Sequence, residues 1–368
     1  MPRIRVLIVD DAVVLRRMLT QVIEQDDALE VAGVAANGKI ALQRITQVNP
    51  DIVTLDVEMP EMDGIATLRA LRKTHPRLPV IMCSTLTAKG AATTIEALSA
   101  GATDYVTKPA NVGSVLEGLT LMRDQLVPKI KALCAGDMPA KPQARAAATA
   151  GAAPRAVPGT PKPAGPKPVV TGPVEAIAIG CSTGGPNALN ELFAALPAAP
   201  PVPIFITQHM PPLFTSFLAE RLGRIGPVRV HEAKDGMAVQ PGNAYLAPGG
   251  YHMVVRRDGV HVRLQLNEDP PENSCRPAVD VMFRSIANVY GGHVVGAVLT
   301  GMGADGTRGG AALREKGAHL IAQDQATSVV WGMPGSLAEA GLADAVMPLS
   351  QIPLELHRRT LEQRRRAA

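Results

Sequence analysis

From Ala135 to Gly172 the chain reads AGDMPAKPQARAAATAGAAPRAVPGTPKPAGPKPVVTG, with no aromatic residue and almost no large aliphatic one. Such a stretch cannot bury enough apolar surface to offset the entropy of ordering it. Residues 135–172 are therefore expected to be a flexible, partly polyproline linker able to hold its flanks roughly tens of ångströms apart. The 368 residues then divide into two folded parts, 1–134 and 173–368, each long enough to bury its own core.

Composition narrows the class of protein. With 46% hydrophobic and 19% charged residues the chain has an ordinary soluble make-up. A formal net charge of +4 is too small to argue for nucleic acid. Much of that surplus sits in the lysines of the linker and in Arg364, Arg365 and Arg366, read as solvated tail charges. Cys83, Cys134, Cys181 and Cys275 lie far apart with no C-x-x-C pair, so neither a zinc site nor a disulfide framework is indicated. The N-terminal MPRIRVLIVDD runs directly into a strand-like segment with two carboxylates, unlike a secretory signal. No apolar run approaches the ~20 residues of a membrane span. The expectation is a soluble, cytoplasmic, monomeric protein, neither membrane-inserted nor bound to nucleic acid.

In the first part, the runs RVLIVD, VAGVA, DIVTLD, PVIMCST and DYVTK alternate with helical patterns. Five such units predict a parallel sheet with helices on both faces, and in that class ligands sit at the carboxyl ends of the strands. Asp10 and Asp11 end the first strand, Asp56 the third, Ser84 and Thr85 the fourth, and Lys108 follows the fifth just before Pro109. Three carboxylates crowded on one rim repel one another unless a positive charge compensates. Mg²⁺ suits such a rim, because it takes one or two carboxylates and leaves room for water and phosphate oxygens. Strand-end acids that merely cap the following helices would explain any one of these residues, but explain the whole set poorly.

The motifs IVDD at 8–11, LDVEMPEMDG at 55–64, Ser84 and TKP at 107–109 resemble the receiver domain of bacterial two-component response regulators, over roughly residues 3–127. The resemblance implies a flavodoxin-like (βα)5 fold and a histidine kinase of the chemotaxis system as phosphodonor. It makes Asp56 the phospho-acceptor, with Asp10, Asp11, Asp56 and the Glu58 backbone carbonyl serving Mg²⁺. Ser84 and Lys108 would sense the phosphoryl group, and Tyr105 would be the aromatic that changes rotamer with it. Ala12 departs from the serine many relatives carry there.

In the second part, AIAIGCSTGGP at 176–186 is an apolar strand that stops at a glycine-flanked serine. It reads either as a nucleophile on a strand-to-helix turn or as a glycine loop that cradles a phosphate. The spacing Gly180-x-Ser182-x-Gly184 fits the elbow that exposes a serine, whereas the dinucleotide fingerprint needs another glycine pattern. Two further strand-end turns offer partners. IFITQ ends at His209 before MPP and an amphipathic helix, and VVGAVLTG ends in GMGADG before a helix that begins near Thr307. His231, His252, His261 and His293 lack such a setting. Asp305 alone could be a helix cap. If the three strands are parallel neighbours, however, Ser182, His209 and Asp305 meet at one edge, as a hydrolase triad requires.

The chemistry assigns the roles: a serine hydroxyl needs an imidazole to take its proton, and a carboxylate to hold that imidazole in the right tautomer. Backbone N–H groups of the glycine-rich turns would stabilise the oxyanion. The chain order Ser, His, Asp differs from that of the α/β-hydrolases, so another doubly wound α/β fold is expected.

The motifs GCSTGGP, TQHMP, LTGMGADG, RPAVDVMFRS at 276–285 and GMPG at 332–335 resemble the catalytic domain of the chemotaxis protein-glutamate methylesterases, the CheB family. With the receiver in front, the resemblance covers nearly the whole chain outside the linker and the last ~15 residues. It implies hydrolysis of glutamyl methyl esters on the cytoplasmic domains of methylated chemoreceptors, with release of methanol, and deamidation of particular receptor glutamines. It carries over Ser182, His209 and Asp305 as the triad, Thr183 beside the nucleophile and the Met302 N–H as an oxyanion donor, with no cofactor in this domain. Regulation would follow if the unphosphorylated receiver packs over Ser182 and phosphorylation of Asp56 biases the halves apart. Departures are the long linker and Trp331, where phenylalanine is common. The rival is a response regulator with a DNA-binding or non-catalytic output domain, but the second part lacks a helix-turn-helix pattern or a concentrated basic face.

Overall fold

The computed structural model describes residues 3–109, 113–134, 168, 170 and 172–367. Of the segment expected to be a linker, residues 135–167, 169 and 171 lie outside the described residues.

The first domain runs β1 (Ile4–Val9), α1 (Val13–Glu24), β2 (Leu29–Ala35), α2 (Gly38–Val48), β3 (Ile52–Asp56), α3 (Gly64–Thr74), β4 (Val80–Ser84), α4 (Ala88–Ser99), β5 (Asp104–Thr107) and α5 (Val115–Cys134). The five strands are parallel in the order β2-β1-β3-β4-β5. Every residue of β3 and β4 is buried, which is why these strands read as unbroken apolar runs: helices cover both faces. Side-chain caps start three of the helices, with Asn37, Asp63 and Thr87 accepting from the amides of Ile40, Ala66 and Gly90. Because strand order reverses beside β1, the loops after β1 and β3 open onto one crevice.

The second domain runs β6 (Ala176–Cys181), α6 (Gly185–Ala195), β7 (Ile204–Gln208), α7 (Phe214–Ile225), β8 (Arg229–Glu232), β9 (Asn243–Leu246), β10 (His252–Asp258), β11 (His261–Asn267), α8 (Val279–Tyr290), β12 (Val294–Val298), α9 (Thr307–Glu315), β13 (His319–Gln323), α10 (Met333–Glu339), β14 (Ala345–Met347) and α11 (Ile352–Ala367). Seven strands form a parallel sheet in the order β14-β13-β12-β6-β7-β9-β8, and β10 and β11 make a separate antiparallel hairpin. The adjacency expected of the three motif-bearing strands is present: β6 lies between β12 and β7. The Arg-rich end, expected as a tail, is the last part of α11; nearer its start this helix buries Ile352, Leu356 and Thr360.

The two domains touch. Helix α4 packs on α6 and α7, and the Tyr105 ring stacks on Phe214 at the start of α7. Asn187 donates from Nδ2 to the Ala102 carbonyl at 2.9 Å, and Asn190 from Nδ2 to Ser99 Oγ at 3.4 Å. The seam is incomplete: a cleft of about 760 Å³ remains, lined by Arg69, Ile95 and Glu96 of the receiver and by Phe217, Arg221 and Arg224 of the second domain. The receiver thus abuts the helices that follow Ser182 and His209.

Candidate active site

Ser182 follows a strand whose six residues are all buried, and sits half-buried in the turn between β6 and α6. The strain of that turn falls on Gly184, whose φ of +76° is left-handed; Ser182 itself has no positive φ. Pro186 stands in the first turn of α6, where its missing N–H costs nothing. Strand register places Cys181 opposite Gln208, so Ser182 and His209 leave neighbouring strands at the same level. Their loops are tied together by Gln208, a buried side chain whose Nε2 donates to both the Ser182 and the His209 carbonyls at 3.0 Å. On the other side, the Ser182 amide donates to the Thr300 carbonyl at 3.0 Å, and Thr300 Oγ1 donates to the Thr183 carbonyl at 2.9 Å.

His209 and Asp305 are joined: Nε2 lies 2.7 Å from Asp305 Oδ2. The carboxylate is itself clasped by the start of α8, accepting from the amides of Val279 at 2.6 Å and Asp280 at 2.9 Å, from Gly306 at 3.0 Å, and from Asn273 Nδ2 at 2.7 Å. Burial pushes the Asp305 carboxyl up, but the His209 contact and the amides outweigh it and hold the group below its usual range. Burial likewise pushes His209 down, yet its contacts with Asp305 and Cys275 prevail and leave it up at about 9.

The ring orientation departs from the usual triad, in which Nδ1 faces the carboxylate. Here Nε2 does so. Nδ1 instead faces Cys275 Sγ at 3.4 Å, and Ser182 Oγ makes no hydrogen bond among the described residues. The structure therefore joins His209 to Asp305, and brings Ser182 to the neighbouring strand end without the expected Ser–His bond. Gly301 packs directly behind Ser182, where an added Cβ would come within 2.9 Å of the serine Cβ. The next residue, Met302, is 40% exposed beside the serine turn, while Thr183 is buried. His231, His252 and His293 are engaged elsewhere, with Asn243, Pro270 and Pro173 respectively. Trp331 donates from Nε1 to the Gln323 carbonyl at 2.9 Å.

In the receiver, Lys108 Nζ lies 2.9 Å from Asp10 Oδ2 and 2.7 Å from Asp56 Oδ1. Asp10, Asp11 and Asp56 each offer a carboxylate oxygen, all within 4.8 Å of one another. Burial raises the Asp56 carboxyl to about 6 against the pull of Lys108, with Asp10 adding to the rise. Ser84 is buried, its Oγ donating to the Gly90 carbonyl at 3.1 Å. The Glu58 side chain turns away to pair with Lys89 at 2.6 Å.

An acidic crevice on one parallel sheet, packed against a second sheet that carries a serine, a histidine and a carboxylate on neighbouring strand ends, defines a response regulator with a hydrolase output domain. Residues 6–120 match the response regulator receiver domain, and residues 177–356 match the CheB methylesterase domain. Over 359 residues the chain is 48% identical to a protein-glutamate methylesterase/protein-glutamine glutaminase of Trichodesmium erythraeum, covering 98% of this chain and 99% of that one. It is 49% identical to a protein of the same name from a Nocardioides species, over 99% of this chain and 97% of that one. The crystal structure of the Thermotoga maritima CheB methylesterase catalytic domain is 42% identical, covering 51% of this chain and 98% of that one, with a TM-score of 0.49. The chain belongs to the CheB family of protein-glutamate methylesterases/protein-glutamine glutaminases. A DNA-binding or non-catalytic output, the rival reading, is not favoured.

Several residues around the site were not singled out from the sequence. Gln208 stands inside TQHMP but reads there as one more strand residue. Asn273 and Cys275 lie in a polar turn without periodicity, and Cys275 drew attention only for lacking a cysteine partner. Asp280, inside RPAVDVMFRS, is fully buried, and its carboxylate accepts from the Gly306 amide at 3.0 Å and the Gly309 amide at 2.6 Å.

Proposed function

We propose that Ser182 is the nucleophile, His209 the base and Asp305 the orienting acid of a phosphorylation-activated esterase acting on methylated glutamates of chemoreceptor cytoplasmic domains. The observation that carries this reading is the 2.7 Å contact of His209 Nε2 with Asp305, made where Ser182 leaves the adjacent strand. His209 Nδ1 takes the Ser182 proton as Oγ bonds to the ester carbonyl carbon; collapse breaks the C–O bond, and methanol leaves with that proton. Water, deprotonated by the same nitrogen, then hydrolyses the acyl-enzyme to the glutamate carboxylate. A receptor glutamine follows the same course with ammonia leaving. The Met302 amide and the turn around Thr183 face the developing oxyanion, where losing one donor costs ~10²-fold or more.

Regulation is assigned to the receiver, with a histidine kinase as phosphodonor and Asp56 as acceptor. Three carboxylates facing one lysine leave negative charge unbalanced, so the crevice fits Mg²⁺. Asp10, Asp11, Asp56 and the Glu58 carbonyl would hold the ion, and when bound it offsets phosphoryl charge. Lys108 and Ser84 respond to the phosphoryl group, and Tyr105 relays that response to Phe214, loosening the seam between the domains. The shift can be no larger than the difference in phosphoryl interaction energy between docked and undocked arrangements.

The test is covalent labelling of the full chain with a fluorophosphonate and mapping of the adduct. An adduct on Ser182 that disappears in His209→Ala, and forms faster with acetyl phosphate and Mg²⁺, is the expected result. An adduct elsewhere, or one indifferent to His209, would overturn the assignment.

A further inference from the structure

Asp305, the partner of His209, shares a single side chain with a second buried carboxylate, Asp280. Asp280 and Asp305 are both buried, at 0% and 2% exposure, and the Asn273 Nδ2 group donates to Asp280 Oδ2 at 3.0 Å and to Asp305 Oδ1 at 2.7 Å. We propose that Asn273 is a positioning residue for the reaction: its amide, wedged between the two acids, fixes Asp305 on His209 and holds Asp280 apart from it. The inference rests on the reading of Ser182, His209 and Asp305 as the triad.

Local chemistry sets the amide's orientation. Its oxygen accepts from Arg308 Nη2 at 2.6 Å, so turning the group over would face an oxygen to two carboxylates and a donor to an arginine. Backbone geometry selects the residue type: Asn273 and Ser274 have φ of +53° and +62°, in the left-handed region where asparagine is tolerated better than most residues. The turn is closed by hydrogen bonds in both directions between the backbones of Glu272 and Cys275, at 3.1 and 2.9 Å. One short turn therefore places Asn273 on the acid and Cys275 Sγ on the base.

The charges facing this pair come from every neighbouring segment. Asp280 and Arg284 lie on α8, Arg308 on α9, and Glu272 in the turn itself; Arg284 pairs with Glu272 at 2.9 Å, and Arg308 lies 3.5 Å from Asp280 and 3.6 Å from Glu272. Against that fixed background, removing the Asn273 donor leaves more negative charge on Asp305, which favours the His209 imidazolium. An imidazolium cannot accept the serine proton, so activity at neutral pH falls and its rise with pH moves to more alkaline values. Because Asn273 contacts acid rather than substrate, the loss falls on kcat.

The experiment compares wild type with Asn273→Asp and Asn273→Gly as full chains activated by acetyl phosphate and Mg²⁺. Asn273→Asp retains the shape but puts a third carboxylate in place of the donor, whereas Asn273→Gly retains the left-handed backbone and removes the amide without adding charge, so Asn273→Gly separates the amide's role from an added charge. Methanol release from methyl-esterified receptor membranes is followed across pH, and the His209 ring is titrated by NMR, its signal assigned by its loss in His209→Gln. For Asn273→Asp, kcat at pH 8 is expected to fall about ten- to a hundredfold with KM within about twofold, the scale of a hydrogen bond to a charged group. The His209 midpoint is expected to rise by about one to two units, with Asn273→Gly intermediate. A kcat within about twofold of wild type, or a lowered kcat and melting temperature with an unmoved His209 midpoint, would overturn the proposal. If wild type itself releases no methanol, the triad reading fails, and the His209 midpoint alone decides the role of Asn273.

Discussion

The Tyr105 ring of the receiver lies on the Phe214 ring of the catalytic domain, centroids 5.0 Å apart and planes 14° from parallel. Tyr105 ends no loop: it is buried in β5, and Lys129 of α5 donates to its carbonyl at 2.7 Å while its ammonium sits 5.0 Å from the ring centre. Phe214 opens α7, five residues after His209. The stack therefore couples β5 of the receiver to the helix that follows His209.

Weakening that stack should release the restraint. An aromatic pair contributes about 0.5–1.5 kcal/mol beyond its buried area, so Phe214→Leu is expected to raise methanol release by the unphosphorylated protein about two- to tenfold. The stimulation by phosphodonor should shrink in proportion. Unchanged basal release would show that the stack is no part of the restraint.

If Asp56 helps to hold Mg²⁺ as proposed, its carboxyl, raised to about 6 by burial, makes that binding pH-dependent in a defined direction. Above about 6 the group is ionised and ready for a cation; below it, a proton must leave first. Apparent Mg²⁺ affinity, measured by calorimetry, should therefore decline as pH falls through 6, by up to about tenfold per unit, with that inflection absent in Asp56→Asn. An affinity that stays flat from pH 5 to pH 8 would show that Asp56 is not a ligand.

Much of this architecture was legible in the sequence because it is carried by strand ends. Buried parallel strands read as continuous apolar runs, and a polar residue that halts such a run marks the rim where ligands bind. That logic reached Asp10, Asp56, Lys108, Ser182 and His209, and it paired Asp305 with them once the strand adjacency was granted. It could not show that His209 turns Nε2 to Asp305, because ring orientation depends on Cys275 and Asn273 in a turn with neither periodicity nor motif. Nor could it reveal Gln208 as the tie between two loops, since a buried glutamine in a strand looks like any other strand residue. Nor does the sequence show which surfaces meet at the seam, which falls on α6 and α7, where Asn187, Asn190 and Phe214 offer what the receiver's β5 and α4 can grip.

Methanol release from methyl-esterified receptor membranes by the full chain with Mg²⁺, measured with and without acetyl phosphate and alongside Ser182→Ala, tests the esterase and its switch most directly. Release is expected to rise with the phosphodonor and to drop by several orders of magnitude in Ser182→Ala. Release by wild type that persists in Ser182→Ala would contradict the assigned chemistry, and release indifferent to the phosphodonor would contradict the assigned switch.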